Sequence, residues 1–190
     1  MLHRHFILHK PYGYLSQFIG ESKKKKRLGE LFPFPAGTMA IGRLDEASEG
    51  LLLLTTNGKL SSYITGQQIE KEYFVQVDGI ITPEALAEIR NGIEININKN
   101  LYRTKPCVAN ILENAPPVAP RTRKIRDDRH GPTSWISITL TEGKNRQIRK
   151  MTAAVGFPTL RLIRVRIGNI YLKDLPAGAV LEVADLSVHS

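Results

Sequence analysis

The sequence predicts an α+β fold built on a mainly antiparallel sheet with few helices. Three observations carry this. First, Lys71–Asp78 (KEYFVQVD) and Ser134–Thr141 (SWISITLT) alternate apolar and polar residues with the period of a strand buried on one face. Second, the apolar runs are of strand length, the longest purely aliphatic one being Leu51–Leu54. Third, helical period is confined to the stretch that follows Thr82 and to Lys144–Val155. Strands joined by short connections, with helices interspersed, imply antiparallel pairing rather than a doubly wound parallel sheet.

Taken in order, Phe6–Leu8 reads as a strand entering the turn Lys10-Pro11-Tyr12-Gly13-Tyr14. Residues 13–38 are rich in Gly, Pro and Lys and read mostly as loop. Met39–Arg43 is a strand running into a loop, Leu51–Thr56 is a buried strand, and Asn57-Gly58 is a turn signal. On Lys71–Asp78, Tyr73, Val75 and Val77 share one face, and Phe74 and Gln76 share the other. Thr82 caps a helix that has Pro83 in its first position and Gly92 at its end. Residues 93–113 hold short strand patterns.

The Pro-rich, basic stretch 114–133 reads as an exposed loop that orders on binding. On 134–141, Ile136, Ile138 and Leu140 share a face. At about 100° per residue on 144–155, Ile148, Met151 and Val155 fall in one arc, with Arg146, Arg149 and Lys150 opposite. Gly156 ends that helix, and 161–171 returns as a strand. The reading is one domain over residues 1–190, with mobile basic loops near 20–30 and 114–133.

A chain of 190 residues buries roughly 70% of its unfolded surface and needs no disulfide or metal to fold. The single cysteine, Cys107, excludes an intrachain disulfide and a Cys-based zinc site and points to the cytosol. No signal-length apolar segment opens the chain, and no run approaches the ~20 residues of a spanning helix. With 42% hydrophobic and 24% charged residues, the composition excludes membrane, collagenous and fully disordered classes.

The net charge of +9 is unevenly placed: residues 121–166 hold twelve of the 27 Lys and Arg but three of the 18 acids. A basic field confined to one segment suits a polyanion, usually nucleic acid; a solvated face is the alternative. The smaller cluster Lys23–Arg27 (KKKKR) reads as a mobile loop that touches phosphates at most.

Several familiar sites are absent. Gly143-Lys144 lacks the spacing of a phosphate-binding loop, and no Gly-x-Ser-x-Gly occurs. His3, His5, His9, His130 and His189 lack zinc-ligand spacing, and the first three read as a surface group. Three stretches carry chemical promise. In Ile41–Gly58 (IGRLDEASEGLLLLTTNG), Asp45 follows one strand and precedes a fully apolar one, so its carboxylate can face a cleft or pair locally with Arg43. In Thr141–Met151 (TEGKNRQIRKM), three cations on a helix face can hold phosphates, hold a buried carboxylate, or simply be solvated. In KEYFVQV, Tyr73 is either core or a stacking surface for a base.

Together these stretches resemble the pseudouridine synthases of bacterial ribosomal RNA, of the type that comprises synthase A for the small ribosomal RNA and synthases B, E and F for the large one. GRLDEASEGLLLLTTNG matches the catalytic motif and KEYFVQV the tyrosine motif. EGKNRQIRKM with VGFPTLRLIRVRIGNIYLKDLPAG matches the third motif and its tail. The likeness runs from about residue 5 to 186. The compact form, without the amino-terminal S4-type domain many members carry, is most similar to the synthase E branch. Ser48 stands where Thr is commoner, and Thr56-Asn57-Gly58 replaces Asn-Asp-Gly; neither change removes a catalytic group.

The resemblance implies a bent antiparallel sheet with two lobes flanking a cleft, and isomerisation of a uridine in ribosomal RNA, 23S above all, free or in an assembling particle. No cofactor or metal is implied, because the reaction has no net redox change or hydrolysis. It implies that Asp45 adds to C1′ of the sugar or takes the 2′ proton. Arg149, or failing that Arg146, pairs with Asp45; Tyr73 stacks on the target base and Lys71 supports that site. Arg43 fills the space left when the uridine is flipped from its stack. Lys144, Arg146 and Lys150 track phosphates. A cytoplasmic monomer is the expected form. A non-catalytic RNA-binding or assembly factor and a synthase acting on transfer RNA are the alternatives.

Overall fold

The computed structural model describes residues 2–125 and 128–189. Residues 126 and 127 of the basic loop lie outside the described residues. The first half of the chain runs β1 (His5–Lys10), β2 (Tyr14–Leu15), β3 (Lys26–Arg27), β4 (Met39–Ile41), β5 (Glu49–Thr55), α1 (Gly58–Gly66) and β6 (Lys71–Asp78). It continues α2 (Pro83–Asn91), β7 (Glu94–Ile97), β8 (Asn100–Arg103), β9 (Val108–Leu112), β10 (Thr133–Leu140), α3 (Gln147–Ala154), β11 (Thr159–Ile167), β12 (Ile170–Tyr171) and β13 (Val180–Val183). The α+β class with few helices is what the alternating strands demand.

The chain divides into two compact units. The first comprises Met1–Ile69, Ala119–Thr122 and Ile163–Ser190. Its centre is β5, whose seven residues are all buried, as expected of a continuous apolar run covered on both faces. β1 pairs antiparallel along β5 from His5↔Thr55 to Lys10↔Gly50, and β13 pairs antiparallel on the outer side of β1. On its other edge β5 takes β4 antiparallel and, at Glu49 and Gly50, β11 in parallel. That parallel pair departs from the antiparallel pattern and depends on Gly50. Its φ is +107°, and a Cβ there would lie 2.2 Å from the Arg164 carbonyl oxygen.

Residues 13–38, read as loop, have a structural task. Phe32 and Phe34 meet Phe6 and each other, and Phe18 meets Phe34, at ring-centroid distances of 5.0–6.0 Å, mostly edge to face. They cover a core of Phe6, Leu8, Leu28, Leu52 and Leu54. Each such side chain withdrawn from water contributes about 1.5–3 kcal/mol. Asn57-Gly58 is a helix start rather than a simple turn: the Asn57 carboxamide accepts from Lys59 N and Leu60 N and caps α1. His5 and His9 are buried, not surface residues. Nδ1 of His5 is hydrogen-bonded to Thr55 Oγ1 at 2.9 Å, and Nδ1 of His9 to the Leu175 carbonyl at 2.7 Å.

The second unit comprises Glu70–Val118 and Arg123–Leu162. Here β10 lies between β6 and β9, antiparallel to both, with Tyr73 opposite Ile138 and Val75 opposite Ile136. Val75, Val77, Ile136 and Ile138 form the sheet side of a core closed by Leu86 and Ile89 of α2 and by Ile148 and Met151 of α3. Thr82, Pro83 and Gly92 bound α2 as read: the Thr82 hydroxyl accepts from Ala85 N, and Gly92 has φ +86°. β7 and β8 form a separate hairpin. No helix among the described residues is long and apolar enough to cross a membrane.

Candidate active site

In the first unit the decisive element is the connection from β4 to β5. β4 stops at Ile41 because Gly42 takes φ +72°. Arg43 is then exposed and Leu44 buried. Both backbone groups of Leu44 are clamped by one side chain: Ser16 Oγ donates to the Leu44 carbonyl at 2.7 Å and accepts from its N–H at 3.0 Å. Half-buried Asp45 follows, and its carbonyl accepts from Ser48 N at 3.0 Å, closing a tight turn before β5. The Glu46 carbonyl accepts from Gly13 N at 2.8 Å, which ties this turn to the Lys10–Tyr14 turn. Arg43 and Asp45 thus share one fixed segment.

Two buried cations stand behind that segment. Lys10 is wholly buried, and its Nζ donates to the Tyr14 carbonyl at 2.6 Å and the Pro11 carbonyl at 3.0 Å. Burial pushes this ammonium down to about 8, while the charges of Glu49, Asp45 and Glu46 pull it up and Arg164 pushes it down. Arg164, also buried, donates from Nε to the Leu51 carbonyl at 2.8 Å and from Nη1 to the Arg43 carbonyl at 3.5 Å. The backbone that carries Asp45 is thus immobilised, and the buried Lys10 charge interacts with the carboxylates of Glu49, Asp45 and Glu46.

In the second unit Lys71 opens β6, and its Nζ donates to the Thr141 carbonyl at 3.4 Å. Two residues on, Tyr73 is half-buried and packs at the margin of the core. Thr141 begins the loop that leads to α3, so Lys71, Tyr73 and the basic loop belong to one neighbourhood.

Helical period begins at Lys144 in the sequence, but α3 starts at Gln147. Arg146 takes φ +52°, a left-handed conformation, ahead of the first turn. Arg146 therefore does not extend the helix face of Arg149 and Lys150. The reason is Glu142. Its carboxylate accepts from the Tyr102 hydroxyl, from Lys105 N at 2.9 Å and from Gln147 Nε2 at 2.7 Å. Gln147 in turn accepts from Lys144 N at 3.1 Å, and the Lys144 ammonium lies 4.9 Å from the centroid of the Tyr102 ring. Burial raises the Glu142 pKa, but the hydrogen bonds from Tyr102, Lys105 and Gln147 outweigh it and hold the carboxyl below its usual range.

The structure thus sets Asp45 and Arg43 on the first unit and Lys71, Tyr73, Lys144, Arg146, Arg149 and Lys150 on the second. The sequence reading missed Lys10, Arg164, Ser16, Glu142 and Tyr102. A lysine closing the buried strand HFILHK and a lone glutamate in the basic TEGKNR were the available signals. The open depression lined by Glu88, Asn91, Glu94 and Arg103 holds none of the predicted residues. Among the described residues no group of His, Cys, Asp and Glu could hold a metal ion.

A family model described as RNA pseudouridylate synthase matches residues 4–154. The chain belongs to this family. It is an RNA pseudouridine synthase, an isomerase that rejoins uracil to its ribose through carbon. Ribosomal large subunit pseudouridine synthase E of Xanthomonas axonopodis pv. citri is 43% identical over 171 residues, covering 89% of this chain and 88% of that protein. The synthase of the same name from Vibrio parahaemolyticus is 40% identical, over 93% of this chain and 72% of its own length. Ribosomal large subunit pseudouridine synthase B of Yersinia pestis is 36% identical over 76% of this chain and 41% of that protein. Among solved structures, a pseudouridylate synthase crystal structure superposes with a TM-score of 0.75 at 26% identity, covering 95% of this chain and 70% of that one.

Proposed function

We propose that this enzyme converts a uridine of 23S ribosomal RNA to pseudouridine, with Asp45 as the group that acts on the sugar. The observation that carries the reading is the Asp45 turn: a half-buried residue on a clamped backbone, in charge interaction with the buried Lys10, in a chain of this family. The names of the synthase E relatives support RNA of the large ribosomal subunit.

A single carboxylate suffices, because no external water is activated. Asp45 either adds to C1′ as the N1–C1′ bond breaks or takes the 2′ proton. The freed uracil turns and C5 bonds to C1′, displacing the Asp45 carboxylate where it had added, or with Asp45 returning the 2′ proton where it had taken it; the C5 proton is then lost while N1 gains one. Tyr73 stacks on the uracil and serves the later deprotonation, with Lys71 in support. Arg149 partners the Asp45 carboxylate, and Arg43 occupies the space vacated by the flipped nucleotide, offsetting part of the few kcal/mol that unstacking costs. Lys144, Arg146 and Lys150 hold phosphates without reading sequence. The enzyme works in the cytosol as a monomer, on free or assembling ribosomal RNA.

Mapping pseudouridine in ribosomal and transfer RNA from cells with and without the protein tests the substrate: one 23S position disappears on deletion. Loss from transfer RNA alone refutes the assignment. In vitro, Asp45→Asn lowers turnover by at least about a thousandfold with RNA affinity within threefold, as expected for an interaction made only in the transition state. Arg149→Met costs more in turnover than in affinity. Equal activity in Asp45→Asn and wild type ends the proposal.

A further inference from the structure

The run Lys23–Arg27 is the basic cluster that the chemistry above leaves unused. It is folded onto the turn that carries Asp45. Lys25 Nζ donates to both carboxylate oxygens of Glu46, at 2.6 and 2.9 Å, and Glu46 is the residue after Asp45. β3 pairs with β2, Lys26 opposite Tyr14 and Arg27 opposite Leu15, and the Lys26 ammonium lies 5.4 Å from the Tyr14 ring centroid.

Arg27 braces the loop from inside. Its Nη2 donates to the Ser22 carbonyl at 2.6 Å, its Nη1 donates to the Lys25 carbonyl at 3.1 Å, and its N–H donates to the Glu30 carboxylate at 2.8 Å. The same Lys10–Tyr14 turn receives a cation from elsewhere in the chain: the Arg121 guanidinium lies 4.3 Å from the Tyr12 ring centroid.

Each cation of the run has its own task. Arg27 shapes the loop, Lys25 fastens it to Glu46, and Lys23 and Lys24 stand exposed on it. A solvated charge run needs no brace and no anchor. A basic loop fastened to the residue after Asp45 meets the chain of the nucleotide on which Asp45 acts. Lysine suits this task, a compact point charge that binds phosphate without selecting a base.

We infer that residues 22–27 form a phosphate-binding arm, in which Lys23 and Lys24 grip the RNA backbone flanking the target uridine and the Lys25–Glu46 pair latches the arm to the Asp45 turn. The inference rests on the proposed RNA substrate. It adds to that reading the place where the flanking strand is held.

The test uses the full-length enzyme and protein-free 23S ribosomal RNA. Binding is titrated between 50 and 200 mM salt for wild type, for Lys23→Gln/Lys24→Gln, and for Lys59→Gln on α1 as a control. Losing two phosphate contacts makes the slope of log affinity against log salt shallower by about 1.4 and, at 100 mM, weakens binding on the order of tenfold. Lys59→Gln leaves both unchanged, and the turnover of the double variant at saturating RNA stays within about twofold.

Lys25→Glu opens the latch and weakens binding similarly, and adding Glu46→Lys restores it. An unchanged salt slope in Lys23→Gln/Lys24→Gln overturns the arm. So does Lys25→Glu binding like wild type. Should wild type convert no ribosomal uridine while the slope still falls, the proposed function fails and the arm stands as an RNA-binding element.

Discussion

At the scale of single residues, Lys10 shows what the site requires. A buried ammonium is tolerated because two carbonyls accept its protons and three carboxylates offset its charge. Its folded pKa of about 8 lies below the ordinary 10.5, so between these values the unfolded chain binds more protons. The cost is therefore full below pH 8, about 3 kcal/mol as an order of magnitude, and is relieved as pH rises toward 10.5. In urea melts, the stability of wild type relative to Lys10→Met rises across that window; a constant difference would refute the linkage. Lys10→Met also lowers turnover by about tenfold or more, because Asp45, Glu46 and Glu49 lose a compensating charge. Cys107, the one thiol, is pushed by burial up to about 11 and is chemically quiet.

At the scale of elements, the loop before α3 decides where the cations stand. Glu142 joins that loop to Tyr102 and Lys105, residues close to it only in space. Glu142→Gln keeps the shape but loses the charge that accepts from Tyr102, Lys105 and Gln147. Its KM for RNA rises severalfold, as Lys144 and Arg146 lose their fixed placement, and a kcat-to-KM split separates this from global damage. Because the folded Glu142 pKa is depressed, its stabilisation is present above about pH 4.5 and is lost as pH falls through the folded value. Acid titration of stability is accordingly blunted in the variant. A full acid response in Glu142→Gln would assign that response to other carboxylates.

At the same scale, sequence pattern located most strands, the α2 caps and the apolar arc of α3. These rest on local rules: period, capping chemistry and glycine conformations. It misplaced the start of α3 and missed α1. In the first case Glu142 and the left-handed Arg146 override a periodic pattern. In the second, Asn57-Gly58 can open either a turn or a helix, and GKLSSYITG is too weakly amphipathic to choose.

At the scale of the molecule, charge governs encounter with RNA. The +9 segment 121–166 and the Lys23–Arg27 arm together predict affinity that falls about three-hundredfold between 50 and 200 mM salt, as expected for roughly six phosphate contacts on single-stranded RNA. Filter binding across that range checks it, and a flat response removes the phosphate-tracking surface.

The order of three motifs was enough to define the family and the reaction, because those are properties of short segments and their sequence. Nothing local could show that Lys10 and Arg164 are buried, Arg164 against the Arg43 carbonyl, that Tyr102 holds Glu142, or that Lys25 fastens a basic loop to Glu46. Such pairings join residues 21 to 121 positions apart. They follow from strand register and side-chain burial, which pattern along the chain does not encode one residue at a time.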